Sequence, residues 1–287
     1  VSSDLVFSKG KFGRAVSIAG RWRESYLPIL KKKGVSEIEI NDGKGWRGSD
    51  CSFLNEFLDI YSLNIIALRL EDYSIVNELH NLEELEIISY GKSPVDFSNF
   101  PKLRNCALQW HSKMTSLSVC REIVELFIDG YDGRSLEYFS DLSQIESIAI
   151  LNSKLENLNG ISGLKNLSSL RLAGCRHLTS LDGVQYLAML QSINLDTVRG
   201  ISSVKELALS TALKRVNLNN LGAIDTLKPL RALPEVEMLN FVESTNITDG
   251  DIAVLAEFPM LKICGFMNRR HYNMTREELS RQLAIRG

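Results

Sequence analysis

Long apolar runs are missing from this sequence. Nowhere does a hydrophobic stretch reach the roughly 18 residues a spanning helix needs, so none is expected to cross a membrane. No signal peptide is visible at Val1. Cysteine is sparse and odd in number: five, at Cys51, Cys106, Cys120, Cys175 and Cys264, without a CxxC or paired spacing. That spacing excludes a zinc frame or a disulfide scaffold and points to a reducing, cytoplasmic setting. The four histidines (His80, His111, His177, His271) form no HExxH and no i, i+4 pair, so no metal site is expected. There is no GxSxG, no Cys–His signature and no isolated carboxylate pair, and with them goes the expectation of an enzyme or a resident cofactor. Charge of one sign is lacking too. With 33 Lys and Arg against 35 Asp and Glu, the net charge is −2, which speaks against a general binder of nucleic acid or anionic membrane.

What is present is a repeat. Between Ile145 and Leu195 the form LxxLxL occurs three times: Ile145-Ile148-Ile150, Leu167-Leu170-Leu172 and Leu190-Ile193-Leu195. Residues at the fourth and sixth positions point to one side of an extended chain. A second apolar set follows each strand, as in Ile161-Leu164 and Val184-Leu187, and faces inward on the way back. One such coil cannot enclose its own leucines, so it must stack on copies of itself. Further strands are expected at Val35-Ile38-Ile40, Ile65-Leu68-Leu70, Leu82-Leu85-Ile87, Leu103-Cys106-Leu108, Ile123-Leu126-Ile128, Leu213-Val216-Leu218, Val236-Leu239-Phe241 and Leu261-Cys264-Phe266. Cys106, Cys175 and Cys264 fall at inward positions, where a thiol acts as a small hydrophobe.

Residues 1–34 do not fit the repeat and read as an N-terminal cap, with a short hairpin around Leu5-Phe7 and Ala15-Ile18 and a short helix within Arg23–Lys33. Residues 35–268 form the repeat domain, with an insertion at 42–60. In the remaining segment, 269–287, Thr275 and Glu278 make a capping box for a closing helix over 276–285, with Leu279 and Leu283 on its covered side.

The units GISGLKNLSSLRLAGCRHLTSL and LKPLRALPEVEMLNF resemble the short leucine-rich repeats, of about 22 residues, of internalins and phosphatase-regulatory proteins. The resemblance covers residues 35–266 and implies an α/β fold: a curved, horseshoe-like leucine-rich-repeat solenoid with one parallel sheet of about 11 short strands and 3₁₀-like helical returns on the convex side. It also implies a role in binding proteins. The repeat's Asn is often replaced, with Tyr73, Ser153, Val198 and Leu221 in its place, and the secretion and anchoring features of internalins are not expected here.

One motif competes with this reading. Gly43-Lys44-Gly45-Trp46-Arg47-Gly48 matches GxGxxG between a strand and an apolar stretch, Phe53–Tyr61, that could form a helix, with Glu71-Asp72 further on. In a dinucleotide fold such glycines seat a pyrophosphate on a helix N-terminus. A repeating coil leaves no doubly wound sheet to complete that site, so Trp46 and Arg47 are expected instead to form a secondary, exposed contact loop.

The primary site is expected on the outward strand positions of the N-terminal half and the strand ends beside them. Ala67, Arg69 and Glu71 would stand there for the second strand, and the site itself comprises Glu84, Glu86, Tyr90, Trp110, His111, Glu125, Phe127, Asp129 and Tyr131. Aromatics beside carboxylates are what interface hot spots contain. The expected partner is another protein with a basic or mixed surface, bound by a monomer; nucleic acid and membrane are not expected. An immunity or inhibitor protein fits this pattern. The alternative is a substrate-recognition subunit of a ubiquitin-ligase or phosphatase complex, although no F-box-like segment stands outside the repeats.

Overall fold

The computed structural model describes residues 4–286. Among the described residues, the thirteen strands of one sheet carry the fold. In chain order they are β1 (Leu5–Lys9), β2 (Arg14–Ile18), β3 (Val35–Asn41), β4 (Ser62–Ile66), β5 (Glu84–Ile88), β6 (Asn105–Gln109) and β7 (Glu125–Asp129). The rest are β8 (Ser147–Leu151), β9 (Ser169–Ala173), β10 (Ser192–Asp196), β11 (Arg215–Asn219), β12 (Met238–Phe241) and β13 (Ile263–Phe266). Two units divide the chain, Val1–Ile128 and Asp129–Gly287.

In the first unit β1 and β2 form an antiparallel hairpin, and β2 pairs parallel to β3. The sheet then continues in parallel register through β4, β5 and β6. Its inward side chains are rungs in register: Ile38, Leu63, Leu85 and Cys106, with Ile40, Ile65, Ile87 and Leu108 beneath, all buried. Between β2 and β3 runs helix α1 (Leu27–Lys33), which opens with Pro28 in its first turn and ends at Gly34 with φ 60°. That left-handed closure is cheap for glycine.

The second unit repeats the scheme. β8 to β13 pair parallel, with Ile148, Leu170, Ile193, Val216, Leu239 and Cys264 as one inward row. Burying each such aliphatic side chain stabilises by roughly 1.5–3 kcal/mol. Partners in successive strands lie 22 or 23 residues apart through most of the unit, as Ser147↔Ser169↔Ser192↔Arg215. So short a coil returns through 3₁₀ turns such as Ile161–Gly163 and Val184–Tyr186. A 3₁₀ turn rises about 2.0 Å per residue against 1.5 Å for an α-helix, and so covers the distance with fewer residues. Helix α2 (Arg276–Arg286) follows the last strand. Its capping box is formed: the Thr275 amide donates to Glu278 Oε2 at 2.8 Å and the Glu278 amide to Thr275 Oγ1 at 3.3 Å. Leu279 and Leu283 are buried, whereas Ile285 is 86% exposed.

The second repeat strand departs from its expected register. Ile60-Leu63-Ile65 satisfies LxxLxL as well as Ile65-Leu68-Leu70 does, and pairing decides between them: Leu63 stacks on Ile38 and Ile65 on Ile40. The outward residues of β4 are therefore Ser62, Asn64 and Ile66. Ala67 is buried, while Arg69 and Glu71 lie beyond the strand. The shift also makes the first coil only slightly longer than the rest, so 42–60 contains an ordinary return. The stretch 53–61, which could have formed a helix, carries instead a five-residue 3₁₀ turn, Ser52–Glu56.

Candidate functional site

The outward face of the first unit is a grid set by strand register. One row runs Glu37, Ser62, Glu84, Asn105, the next Glu39, Asn64, Glu86, Ala107, and a third begins Asn41, Ile66, Ile88. Four carboxylates thus converge from two strands with β4 between them. Ser62, Asn64 and Ile66 escaped the sequence reading only through the slipped register; the rule that alternate residues face outward would have found them.

The chain itself occupies the first row. The β1–β2 loop folds over it, with Lys11 Nζ 2.7 Å from Glu84 Oε1 and the Phe12 amide donating to Glu37 Oε1 at 2.6 Å. Phe12 stacks on Tyr61 with ring centroids 5.8 Å apart. The chain approaches so closely that a Cβ at Gly10 would fall 2.1 Å from the Glu37 carboxylate, so any larger residue there would push that carboxylate aside. Glu84 also accepts from Asn105 Nδ2 at 3.1 Å.

The second row is less complete. Glu39 accepts from Lys44 Nζ at 2.8 Å and from Asn41 Nδ2 at 3.1 Å. Glu86 accepts from Asn64 Nδ2, and no cation pairs with it among the described residues. Burial pushes the Glu86 carboxyl above its usual range, the nearby negative Glu39 pushes it further, and the Asn64 hydrogen bond opposes both. Asn64 Oδ1, between the two acids, is shielded from water and has no donor among the described residues. Unpaired acceptors and negative charge therefore outnumber donors at this point.

The aromatic candidates separate by depth. Tyr90 is 72% exposed, and Trp110 and Phe127 are half-buried. Glu125 is exposed. His111, expected to contact a partner, is buried instead. Its Nδ1 accepts from the Lys113 amide at 3.3 Å, so its Nε2 carries the proton towards Tyr73 Oη at 2.8 Å; that hydroxyl donates in turn to the Gly91 carbonyl at 2.8 Å. Burial, with Lys92 and Lys113 nearby, holds the His111 pKa below the ordinary imidazole value. Asp129 and Tyr131 belong to the second unit, where Asp129 accepts from Asn152 Nδ2 at 2.7 Å and Tyr131 is buried against Phe139, centroids 5.0 Å apart. His111 and Tyr131 stand three residues past the last inward strand position, where Ser153, Cys175, Val198 and Leu221 also point in. The repeat's own numbering was the overlooked signal.

The secondary loop is corrected as well. Trp46 is fully buried rather than exposed, and only Arg47 of that pair reaches solvent. Asp42–Lys44 is a 3₁₀ turn closed by Gly45 with φ 100°. The helix N-terminus that a pyrophosphate would need after Gly48 is replaced by the turn at Ser52–Glu56.

No described helix is long and apolar enough to cross a membrane. Comparison with known protein families gives no match, and neither does comparison with curated proteins. Solved structures do match. An internalin of Listeria monocytogenes, InlF, superposes with a TM-score of 0.59 at 16% identity, covering 90% of this chain and 83% of the other. A leucine-rich-repeat protein of Leptospira interrogans gives 0.59 at 14% identity, covering 84% and 69%. The functional domain of Listeria InlJ gives 0.53 at 12%, covering 79% and 56%. At these identities the likeness concerns architecture, and with the register-matched parallel rungs it establishes the fold of this chain as that of a leucine-rich-repeat protein.

Proposed function

We propose that this chain is a protein-binding module whose first unit engages a partner through the outward sheet face between Glu39 and Glu86. One observation carries the reading: Glu86 is a half-buried carboxylate beside a second one, with Asn64 Oδ1 between them, and among the described residues neither that oxygen has a donor nor Glu86 a cation. Its neighbours show what such a position takes, since Lys11 sits on Glu84 and Lys44 on Glu39. A lysine or arginine from a partner would complete the second row. Ile66 and Ile88 on the face, with Tyr90, Trp110 and Phe127, supply apolar contact area of the kind that anchors interfaces. The partner is therefore a protein with a basic or mixed surface. An immunity or inhibitor role against a cationic protein follows this chemistry, and five unpaired thiols support a reducing, cytoplasmic setting for a monomer.

The test is affinity capture from the native cell with the wild type, then titration of the recovered partner against variants. Glu86→Lys combined with Tyr90→Ala is expected to weaken binding at least about a hundredfold, because it places a like charge against the partner's cation and removes an exposed aromatic. Trp110→Ala with Phe127→Ala should weaken it further while leaving the circular dichroism unchanged. Undiminished binding by both variants would exclude this face.

A further inference from the structure

At the C-terminal ends of β3 and β4 lies a hollow of about 420 Å³ lined by Asp42, Trp46, Arg47, Gly48, Leu68 and Arg69. All six residues are in the first unit. Arg47 is held in place, its Nη1 donating to the Asp42 carbonyl at 3.2 Å and the Trp46 carbonyl at 2.7 Å. That fixes the guanidinium and leaves its other N–H groups unengaged among the described residues. Arg69 is exposed and has no hydrogen-bond or ion-pair partner among the described residues. The Asp42 carboxylate is partly committed, since Oδ2 accepts from the Leu68 amide at 2.9 Å. Trp46 is fully buried, and its indole Nε1 has no acceptor among the described residues. Gly48 packs directly over that ring: a Cβ there would stand 2.2 Å from Trp46 Cζ2.

We infer that this hollow binds a carboxylate. Two guanidinium groups offer the planar forks that match a carboxylate, one of them pre-oriented by the backbone. Asp42 lowers the charge of the lining to a single positive excess, which suits a monoanion and disfavours a dianion such as phosphate. The half-exposed Leu68 gives an apolar wall for an aliphatic group next to the acid, while the buried Trp46 indole lies behind the lining and senses the hollow without touching what it holds. The ligand class is a molecule presenting one carboxylate beside an aliphatic side chain, whether a free acid or the C-terminus of a peptide. This site is separate from the Glu39–Glu86 face and takes the opposite charge.

The test uses the full chain, labelled with ¹⁵N, and follows the indole N–H signals of its three tryptophans, with Trp46→Phe identifying the relevant peak. N-acetyl-leucine should shift the Trp46 signal saturably, and N-acetyl-leucinamide should not. Arg69→Gln should weaken the response at least tenfold with an unchanged melting temperature, and inorganic phosphate should bind more weakly than the monoanion. A tetrapeptide ending in leucine that binds more tightly than N-acetyl-leucine would identify a chain terminus as the source, and equal binding a small acid. A shift of equal size with the amide, an Arg69→Gln variant that binds normally, or tighter binding of phosphate would each overturn the inference.

Discussion

Six residues of the second unit adopt left-handed backbone at one place in successive coils: Gly130, Asn152, Gly174, Thr197, Asn220 and Glu243, with φ between 48° and 81°. Each lies two positions after the last inward side chain of a strand, where the chain must bend out of the sheet. Glycine takes this conformation freely and asparagine at small cost, but a longer side chain is strained there. Glu243 has an exposed side chain, and among the described residues only its carbonyl is engaged, by Arg269 Nη2 at 3.1 Å. Glu243→Gly is thus expected to stabilise the fold by about 0.5–1 kcal/mol, the relieved strand-exit strain less the entropy of glycine. A urea midpoint that stays or falls would contradict this. Two titrating residues act in opposite directions. His111 is kept neutral by burial and the nearby lysines, with a pKa below its ordinary value of 6.5. The unfolded chain then binds protons first as pH falls through that value, so stability drops from there down to the folded pKa. Urea titrations between pH 7 and pH 5.5 should show this loss, and His111→Gln should flatten it. Glu86 has its pKa raised by burial and by Glu39, so the native state binds the proton more readily and stability falls as pH rises through its range. Glu86→Gln should therefore raise the melting temperature at pH 7, with the advantage shrinking towards pH 4; a lower melting temperature at pH 7 would show that the charge is compensated.

Each strand is held by what lies on either side of it. Leu170 is buried between Ile148 of β8 and Ile193 of β10. An aspartate there strands a charge without a mate and opens a void, at a cost of about 3–5 kcal/mol. Because a coil buries its apolar side only against its neighbours, the damage should spread to adjacent coils. Leu170→Asp is expected to lose a large share of its circular dichroism at urea concentrations where the wild type stays folded; an unaltered curve would contradict the rung assignment. At this scale most of the sequence expectations are met. Eleven repeat strands were expected, and β3 to β13 are eleven, the N-terminal hairpin adding two to the sheet. The exception, β4, was ambiguous because Ile60, Leu63, Ile65, Leu68 and Leu70 contain two overlapping copies of one pattern. Only pairing with β3 distinguishes them. The possible helix over 53–61 is a 3₁₀ turn for a related reason: an apolar cluster near a strand end fits either, and coil length decides.

Across the molecule the near-neutral net charge conceals a segregation. Residues 1–34 carry eight Lys and Arg against two acids, leaving 25 cations and 33 carboxylates for the rest. The hairpin tip discharges part of that contrast onto the acidic face through Lys11 and Glu84. Arg14, Lys32 and Lys33 instead border a hollow of about 560 Å³ on the N-terminal segment. At neutral pH and low salt the protein should therefore be retained on a cation exchanger despite its net charge of −2. The triple variant Arg14→Gln, Lys32→Gln, Lys33→Gln should elute markedly earlier, and unchanged elution would mean the cations are too dispersed to act together.

The sequence by itself determined the architecture, because an apolar pattern with a fixed period has few ways to keep its side chains dry and stacking satisfies it in every coil. It also determined that Glu84 and Glu86 would face outward, since alternation along a strand is a local rule. Tertiary structure alone decided which carboxylates remain uncompensated. Lys11 lies 73 residues from Glu84, and no local rule couples them. Depth was likewise settled only in three dimensions: Trp46 looks like an exposed loop residue until the chain packs Gly48 over it, and His111 until Tyr73 reaches it from 38 residues away. Burial and charge compensation depend on which distant segments meet, and that is fixed by how the coils pack on one another.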